Sequence, residues 1–218
     1  MGLDAYLPIW KQLSWEDQRA LEEAATFRNV PKGTILHNGS ADCIGVLVIK
    51  SGQLRSYIVS DEGKEVTLYR LLERDICLFS AACMMSSIRF EVTIETEKDS
   101  EIWLIQQETY HTVMERSAPL ANYTCQLLAS RFSEVMWLMD QILFKRFNAR
   151  LATFLLEEST IEGSNTLEIT HERIANHMGT AREVVTRMLK YFQEENMVSL
   201  TRGGVTLTDH AKLTELSE

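Results

Sequence analysis

Residues 170–192 read THERIANHMGTAREVVTRMLKYF. Two short helical patterns flank a turn at Met178-Gly179-Thr180. On a helical wheel of ~100° per residue, with Arg182 at the origin, Thr186, Lys190, Glu183 and Arg187 fall within roughly 140°. Ala181, Val184, Val185, Met188, Leu189 and Phe192 occupy the rest of the circle. One face is suited to a core. The other presents two arginines, a lysine and a glutamate. These side-chain types read base edges in a DNA major groove, because Arg matches guanine O6/N7 and Glu accepts from cytosine N4.

The surroundings of this segment fit a helix-turn-helix. Thr170 and Thr180 stand where the N-caps of the two helices are expected, and Gly179 permits the tight turn between them. Val198–Thr201 and Val205–Leu207 flank Arg202-Gly203-Gly204, which predicts a small hairpin, the wing of a winged helix-turn-helix. Asp209–Leu216 closes the chain as a short helix. Arg182, Glu183 and Arg187 are the expected base readers. Thr170, His171, Thr180, Lys190 and Arg202 are the expected backbone contacts. Glu183 has two further readings. Thr180-x-x-Glu183 matches a capping box, and Glu183 and Arg187 have the spacing of a surface ion pair.

Working outward, residues 146–158 form an amphipathic helix and 161–165 a polar loop. After Pro119 and up to Lys145 there is no Gly or Pro, which predicts one long helix. Leu120, Leu127, Leu128, Val135, Leu138, Met139 and Ile142 line one stripe of it. Such a stripe suits pairing with a second copy, or packing on its own domain.

The first half has a different texture. Ser14 precedes a short helix over 14–26. Thr34–His37, Val46–Lys50, Gln53–Val59, Val66–Leu71, Phe90–Glu95 and Glu101–Ile105 then read as strands. Ser51-Gly52 and Asp61–Lys64 carry turn signals between them. Strands at this spacing predict an antiparallel sandwich or jelly roll. The fold class is α+β: a jelly-roll sensor over 1–117, a dimerisation helix over 118–145 and a winged helix-turn-helix over 146–218.

Composition bounds the function. The 218 residues are 45% apolar, enough for true cores. Purely apolar runs such as Val46–Ile49 are far short of the ~18 residues that span a bilayer. MGLDAYLPIW lacks a signal-peptide pattern, so a cytoplasmic protein is expected. The net charge of −9 is unusual for a DNA binder and keeps the chain soluble. Residues 169–190, however, carry Arg173, Arg182, Arg187 and Lys190 against Glu172 and Glu183, a local +2. Modest non-specific affinity follows, with specificity resting on geometry. The four cysteines, Cys43, Cys77, Cys83 and Cys125, form no C-x2-C pair. Reduced thiols are the expectation, and no metal site is assigned.

With these residues in hand, the chain resembles the CRP/FNR family of bacterial transcription regulators over nearly its whole length. The likeness rests on Gly33–Leu36, Val48–Leu54, Asp61–Leu68, Arg150–Leu156, Ile174-Ala175 through Gly179, and Arg182-Glu183-x-Val185-Thr186-Arg187-x-Leu189-Lys190. The resemblance implies a cyclic-nucleotide-binding-like jelly roll and a homodimer on palindromic double-stranded DNA, with half-sites holding a GTGA-like core. It also implies RNA polymerase as a partner and an effector that repositions the reading heads.

The effector site departs from the cyclic-AMP-binding pattern. Leu78-Phe79 stand where a Gly-Glu pair is expected, and Arg74-Asp75 where a Gly-Asp is expected. Arg89-Phe90 replace an Arg-Ser pair, so of the phosphate-binding pattern only Arg89 remains. This argues against cyclic AMP. The iron–sulfur branch needs an N-terminal cysteine cluster, and the first cysteine here is Cys43. Haem would need axial ligands, for which Cys77, His37 and His111 qualify by type alone. Cys77 and Cys83 also have the makings of a redox pair. The effector pocket is expected around Cys77, Phe79, Cys83, Arg89 and Phe90, and its small-molecule ligand is left open, as is a filled core in a protein controlled by its abundance. Two rival functions remain. One is a ligand-sensing module that works by protein association without sequence-selective DNA binding. The other is an enzyme built on Cys77 or Cys83 with His37 or His111, for which no motif places base and nucleophile together.

Overall fold

The computed structural model describes residues 2–39, 44–78 and 91–218. The chain divides into two compact units, Met1–Val59 with Leu68–Val135, and Ser60–Thr67 with Met136–Glu218.

The first unit is built on two four-stranded sheets. Strands β1 (Ala25–Val30), β2 (Ile35–Asn38), β3 (Val46–Ser51), β4 (Leu54–Val59), β5 (Glu65–Leu71), β6 (Ile76–Cys77), β7 (Thr93–Thr96) and β8 (Ser100–Ile105) follow in chain order. They arrange as β1-β8-β3-β6 and β2-β7-β4-β5. The paired strands run antiparallel, with Leu47 opposite Leu104 and Arg55 opposite Glu95. This is the jelly roll read from the strand spacing.

The apolar run Val46–Ile49 has its explanation here. All four residues are fully buried, because β3 is covered on both faces. Leu47 and Ile49 join Leu54, Leu71, Cys77, Ile94 and Ile102 in one core. Val46 and Val48 face a second core with Leu21, Ile105, Tyr110, Val113 and Leu120. A half-exposed strand would alternate instead.

Helix α1 (Trp15–Glu23) begins as predicted, with the Ser14 hydroxyl accepting from the Asp17 amide. It ends earlier than the sequence suggests. Ala25 already pairs with Ile105, and the Phe27 and Trp103 rings meet at 5.0 Å. The sequence reading also lacked β1, β6 and helix α2 (Gln107–Arg116). The partners of β1 lie some 75 residues away, and β6 has two residues, so neither leaves a local pattern.

Helix α3 (Ala118–Phe144) is the long helix, within a residue of its expected limits. Its stripe does not serve one purpose throughout. Leu120 is buried in the jelly roll's own core, with Leu127 and Leu128 packed against it. That part of the expected dimer stripe is intramolecular. Further along, Phe132, Met136, Trp137, Met139, Ile142, Leu143 and Phe144 are exposed on the chain.

The second unit contains helix α4 (Phe147–Glu162), β9 (Thr166–Leu167), α5 (His171–Met178), α6 (Arg182–Glu194), β10 (Val198–Thr201), β11 (Gly204–Leu207) and α7 (His210–Ser217). Helix α4 runs past its expected end at Glu158 and stops where Gly163 adopts a left-handed conformation (φ 61°). Strands β10-β11-β9 form a small antiparallel sheet. The core is made by Leu151 and Leu155 of α4, Ile174 and Ala175 of α5, Val185, Leu189 and Phe192 of α6, and Val205, Leu207 and Leu213. Residues 60–67 belong to this unit, and Val66 and Thr67 rest on the C-terminal end of α5. Val66 bridges Met178, and the Thr67 hydroxyl lies 2.8 Å from His177 Nδ1.

Candidate nucleic-acid interface

Helices α5 and α6 are joined by a short turn, and their positions follow from local chemistry. At the start of α5 the Thr170 hydroxyl accepts from the Arg173 amide, as the sequence predicts. At its end, Gly179 has φ 67° and its peptide N–H side is turned back on the helix, while the Thr180 amide donates to the Ala175 carbonyl. A Cβ on residue 179 would stand 2.5 Å from Val66 Cγ2. Glycine is therefore required both by the backbone and by the neighbour. Arg150 of α4, whose ionisation burial pulls down from the ordinary arginine range, donates to the Met178 carbonyl at 3.2 Å. It satisfies one of the free carbonyls at the end of α5.

Thr180 departs from its expected role. Helix α6 starts at Arg182 with Ala181 as its N-cap, and no side chain caps it. The capping box is not formed, because the turn needs one more extended residue before the helix begins. The Glu183 carboxylate is thus not held by a cap. It does not pair with Arg187 either: among the described residues, neither makes an ion pair or a side-chain hydrogen bond. Both bland readings of Glu183 drop away.

The buried side of α6 carries Val185, Leu189 and Phe192. Its other side is an open groove lined by Arg182, Glu183, Thr186, Arg187, Lys190, Tyr191 and Glu194. Arg182, Glu183, Arg187 and Lys190 are all exposed. Tyr191 and Glu194 were not singled out from the sequence. Tyr191 lies near 180° on the wheel, at the edge between the two faces, and the structure turns its ring outward, 44% exposed.

The other expected backbone contacts lie on other elements and are not among the residues that line this groove. Arg202 is exposed in the two-residue turn between β10 and β11, at the tip of the wing. Thr170 is exposed and Thr180 half-buried. His171 is not simply exposed. Its Nδ1 lies 2.9 Å from the hydroxyl of Thr186 on the reading face of α6. Burial first, and the charge of Arg182 second, hold its imidazole below the ordinary histidine range. Lys212 of α7 donates to the Glu195 carbonyl and closes the far end of α6.

The effector pocket is less accessible to description. Phe79, Cys83, Arg89 and Phe90 lie outside the described residues. Cys77 is buried in β6, within the core between the sheets, and forms no disulfide with any described residue. Of the residues named for haem by type, His37 is buried with Nδ1 lacking a hydrogen bond. His111 sits on α2, 3.7 Å from Glu115. The described residues contain no group of three or more side chains that could hold a metal ion.

Comparison with known proteins bears on both units. Residues 27–117 match the cyclic nucleotide-binding domain family, and residues 149–216 match the Crp-like helix-turn-helix domain family. A solved structure of a putative transcriptional regulator of the crp/fnr family from Eubacterium rectale is 54% identical. The similarity covers 98% of this chain and 99% of that one, with a TM-score of 0.95. The fumarate and nitrate reduction regulatory protein of Yersinia pestis is 25% identical over 198 residues, 86% of this chain and 77% of that protein. The cyclic AMP receptor protein of Thermus thermophilus is 27% identical over 170 residues, 78% of each.

Proposed function

The chain belongs to the CRP/FNR family of transcriptional regulators and carries that family's DNA-binding helix-turn-helix, and from this premise we propose that it works as a homodimer on a two-fold palindromic site with GTGA-like half-sites. The observation that carries the reading is the state of α6. Arg182, Glu183 and Arg187 share one exposed face and have no intramolecular hydrogen-bond or ion-pair partners among the described residues. The two arginines suit the guanines of such a half-site, and Glu183 suits the cytosine opposite a guanine. Thr170, His171, Thr180, Lys190 and Arg202 are in this reading the contacts to the phosphate backbone.

The second copy is brought in by α3. Phe132, Met136, Met139 and Leu143 repeat at the four-three-four spacing of a coiled-coil seam and are exposed on the single chain. In this reading residues 1–117 sense, 118–145 pair and 146–218 read. The two reading heads then address half-sites about one helical turn, ~34 Å, apart. An effector bound near Cys77 biases the pair towards DNA, and RNA polymerase is the downstream partner. The family is one of regulators rather than enzymes, and no described helix is long and apolar enough to cross a membrane.

Selection of binding sites from random duplex DNA by the purified protein tests this. The expected result is a palindrome. Equal retention of all sequences would favour the rival reading, a module that associates with proteins without reading DNA.

A further inference from the structure

Every side chain given a base-reading role above projects from α6, and one contact ties that face to another helix. Thr186 lines the groove between Arg182 and Arg187. Its hydroxyl is held at 2.9 Å by His171 Nδ1, from the first residue of α5. The ring's second nitrogen, Nε2, has no hydrogen-bond partner among the described residues. An imidazole fixed at one nitrogen has a defined orientation, and the other nitrogen is available to whatever lies against the groove.

We propose that His171 is a proton-linked positioning residue: locked to Thr186, it sets the reading helix against α5 and takes up a proton when a DNA phosphate meets Nε2. The inference rests on the DNA-reading assignment of α6. Its sign follows from the surroundings. From α6 the charge acting on the ring is that of Arg182, and its chain neighbours on α5 are Glu172 and Arg173. In the free protein, burial and Arg182 disfavour the imidazolium. A phosphate has the opposite effect and raises the pKa of the bound state. The complex therefore holds more protons than its parts. Affinity rises as pH falls from the bound-state pKa towards the lowered free-state value, and is lost as pH rises. In a dimer both histidines contribute, so the linkage acts twice.

The test is binding of the full-length protein to its selected duplex between pH 8 and pH 5.5, at constant salt. Wild type is expected to bind several-fold more tightly at the acid end. His171→Gln should lose the pH dependence, binding no more tightly at pH 5.5 than it does itself at pH 8. Thr186→Val, which removes the hydroxyl and keeps the shape, should bind about two- to tenfold more weakly throughout, with Thr186→Ser restoring affinity. Melting temperatures close to wild type establish that each variant is folded. A flat wild-type profile, or an unchanged slope in His171→Gln, overturns the proton linkage while leaving the reading of α6 intact. Loss of sequence selection by wild type at every pH overturns that reading, and this inference with it.

Discussion

The guanidinium of Arg131, on α3, lies 4.8 Å from the centre of the Tyr69 ring, on β5. The same group bonds Asp75 at 3.1 Å and Glu134 at 2.9 Å. Burial alone would lower its pKa, but the contacts with Glu134, Asp75 and Tyr69 raise it on balance. The middle of the long helix is therefore fastened to the jelly roll by charge and by an aromatic face. Arg131→Met keeps much of the stem and removes both. We expect it to cost about 1–3 kcal/mol, measured as a lower midpoint in urea unfolding.

Thr170 and Thr180 look alike in sequence and differ in structure. Only Thr170 caps a helix. Thr170→Ala is expected to destabilise the protein by about 1 kcal/mol, and Thr180→Ala by less than about 0.5 kcal/mol. Thermal unfolding of the two variants side by side distinguishes them. Equal losses would show that the capping box forms.

Arg187→Ala removes a proposed base reader that makes no ion pair or side-chain hydrogen bond among the described residues. Binding to the selected site should weaken by about 1–3 kcal/mol, with preference relaxed at one base position per half-site. Lys190→Ala should instead weaken all sequences alike and reduce the salt slope. Titrations at several salt concentrations read out both effects.

Gly179→Ala combines a left-handed backbone with a 2.5 Å approach to Val66. Its cost should exceed about 1 kcal/mol. Val66→Ala removes the methyl that is met and should recover part of the loss, leaving the backbone component. A double-mutant cycle of melting temperatures measures that recovery.

Tyr110 fixes a limit at high pH. Its hydroxyl lies 2.8 Å from the Thr124 hydroxyl, which donates to the Leu120 carbonyl. Burial pushes its pKa up to about 12. The unfolded chain ionises near the ordinary value of 10, so the folded state holds the extra proton above that. Stability contributed by this group is complete below pH 10 and falls as pH rises through 12. Tyr110→Phe should flatten that decline in pH-dependent unfolding, though it loses the hydrogen bond.

Much of this architecture could be read from local pattern. The two faces of α6 follow from residue spacing, and β10 and β11 follow from alternation about Arg202-Gly203. What escaped reading depends on distant partners. Ala25 is a strand residue because it pairs with Ile105. Leu120 resembles Met139 in sequence, yet one is in the jelly-roll core and the other is exposed. The cap position of α6 shifted by one residue because the turn after Gly179 needs an extended Ala181. Thr186 gave no sign of its bond to His171, since a fifteen-residue separation has no periodic signature.

Pairing through the exposed face of α3, as proposed, would also impose a dose law. Where only a small fraction of the chains is paired, mass action makes the amount of paired protein rise with the square of the chain's concentration. Halving the number of chains then leaves about a quarter of the pairs. A promoter served by this protein would respond to its synthesis and dilution more steeply than in proportion, before any effector is bound.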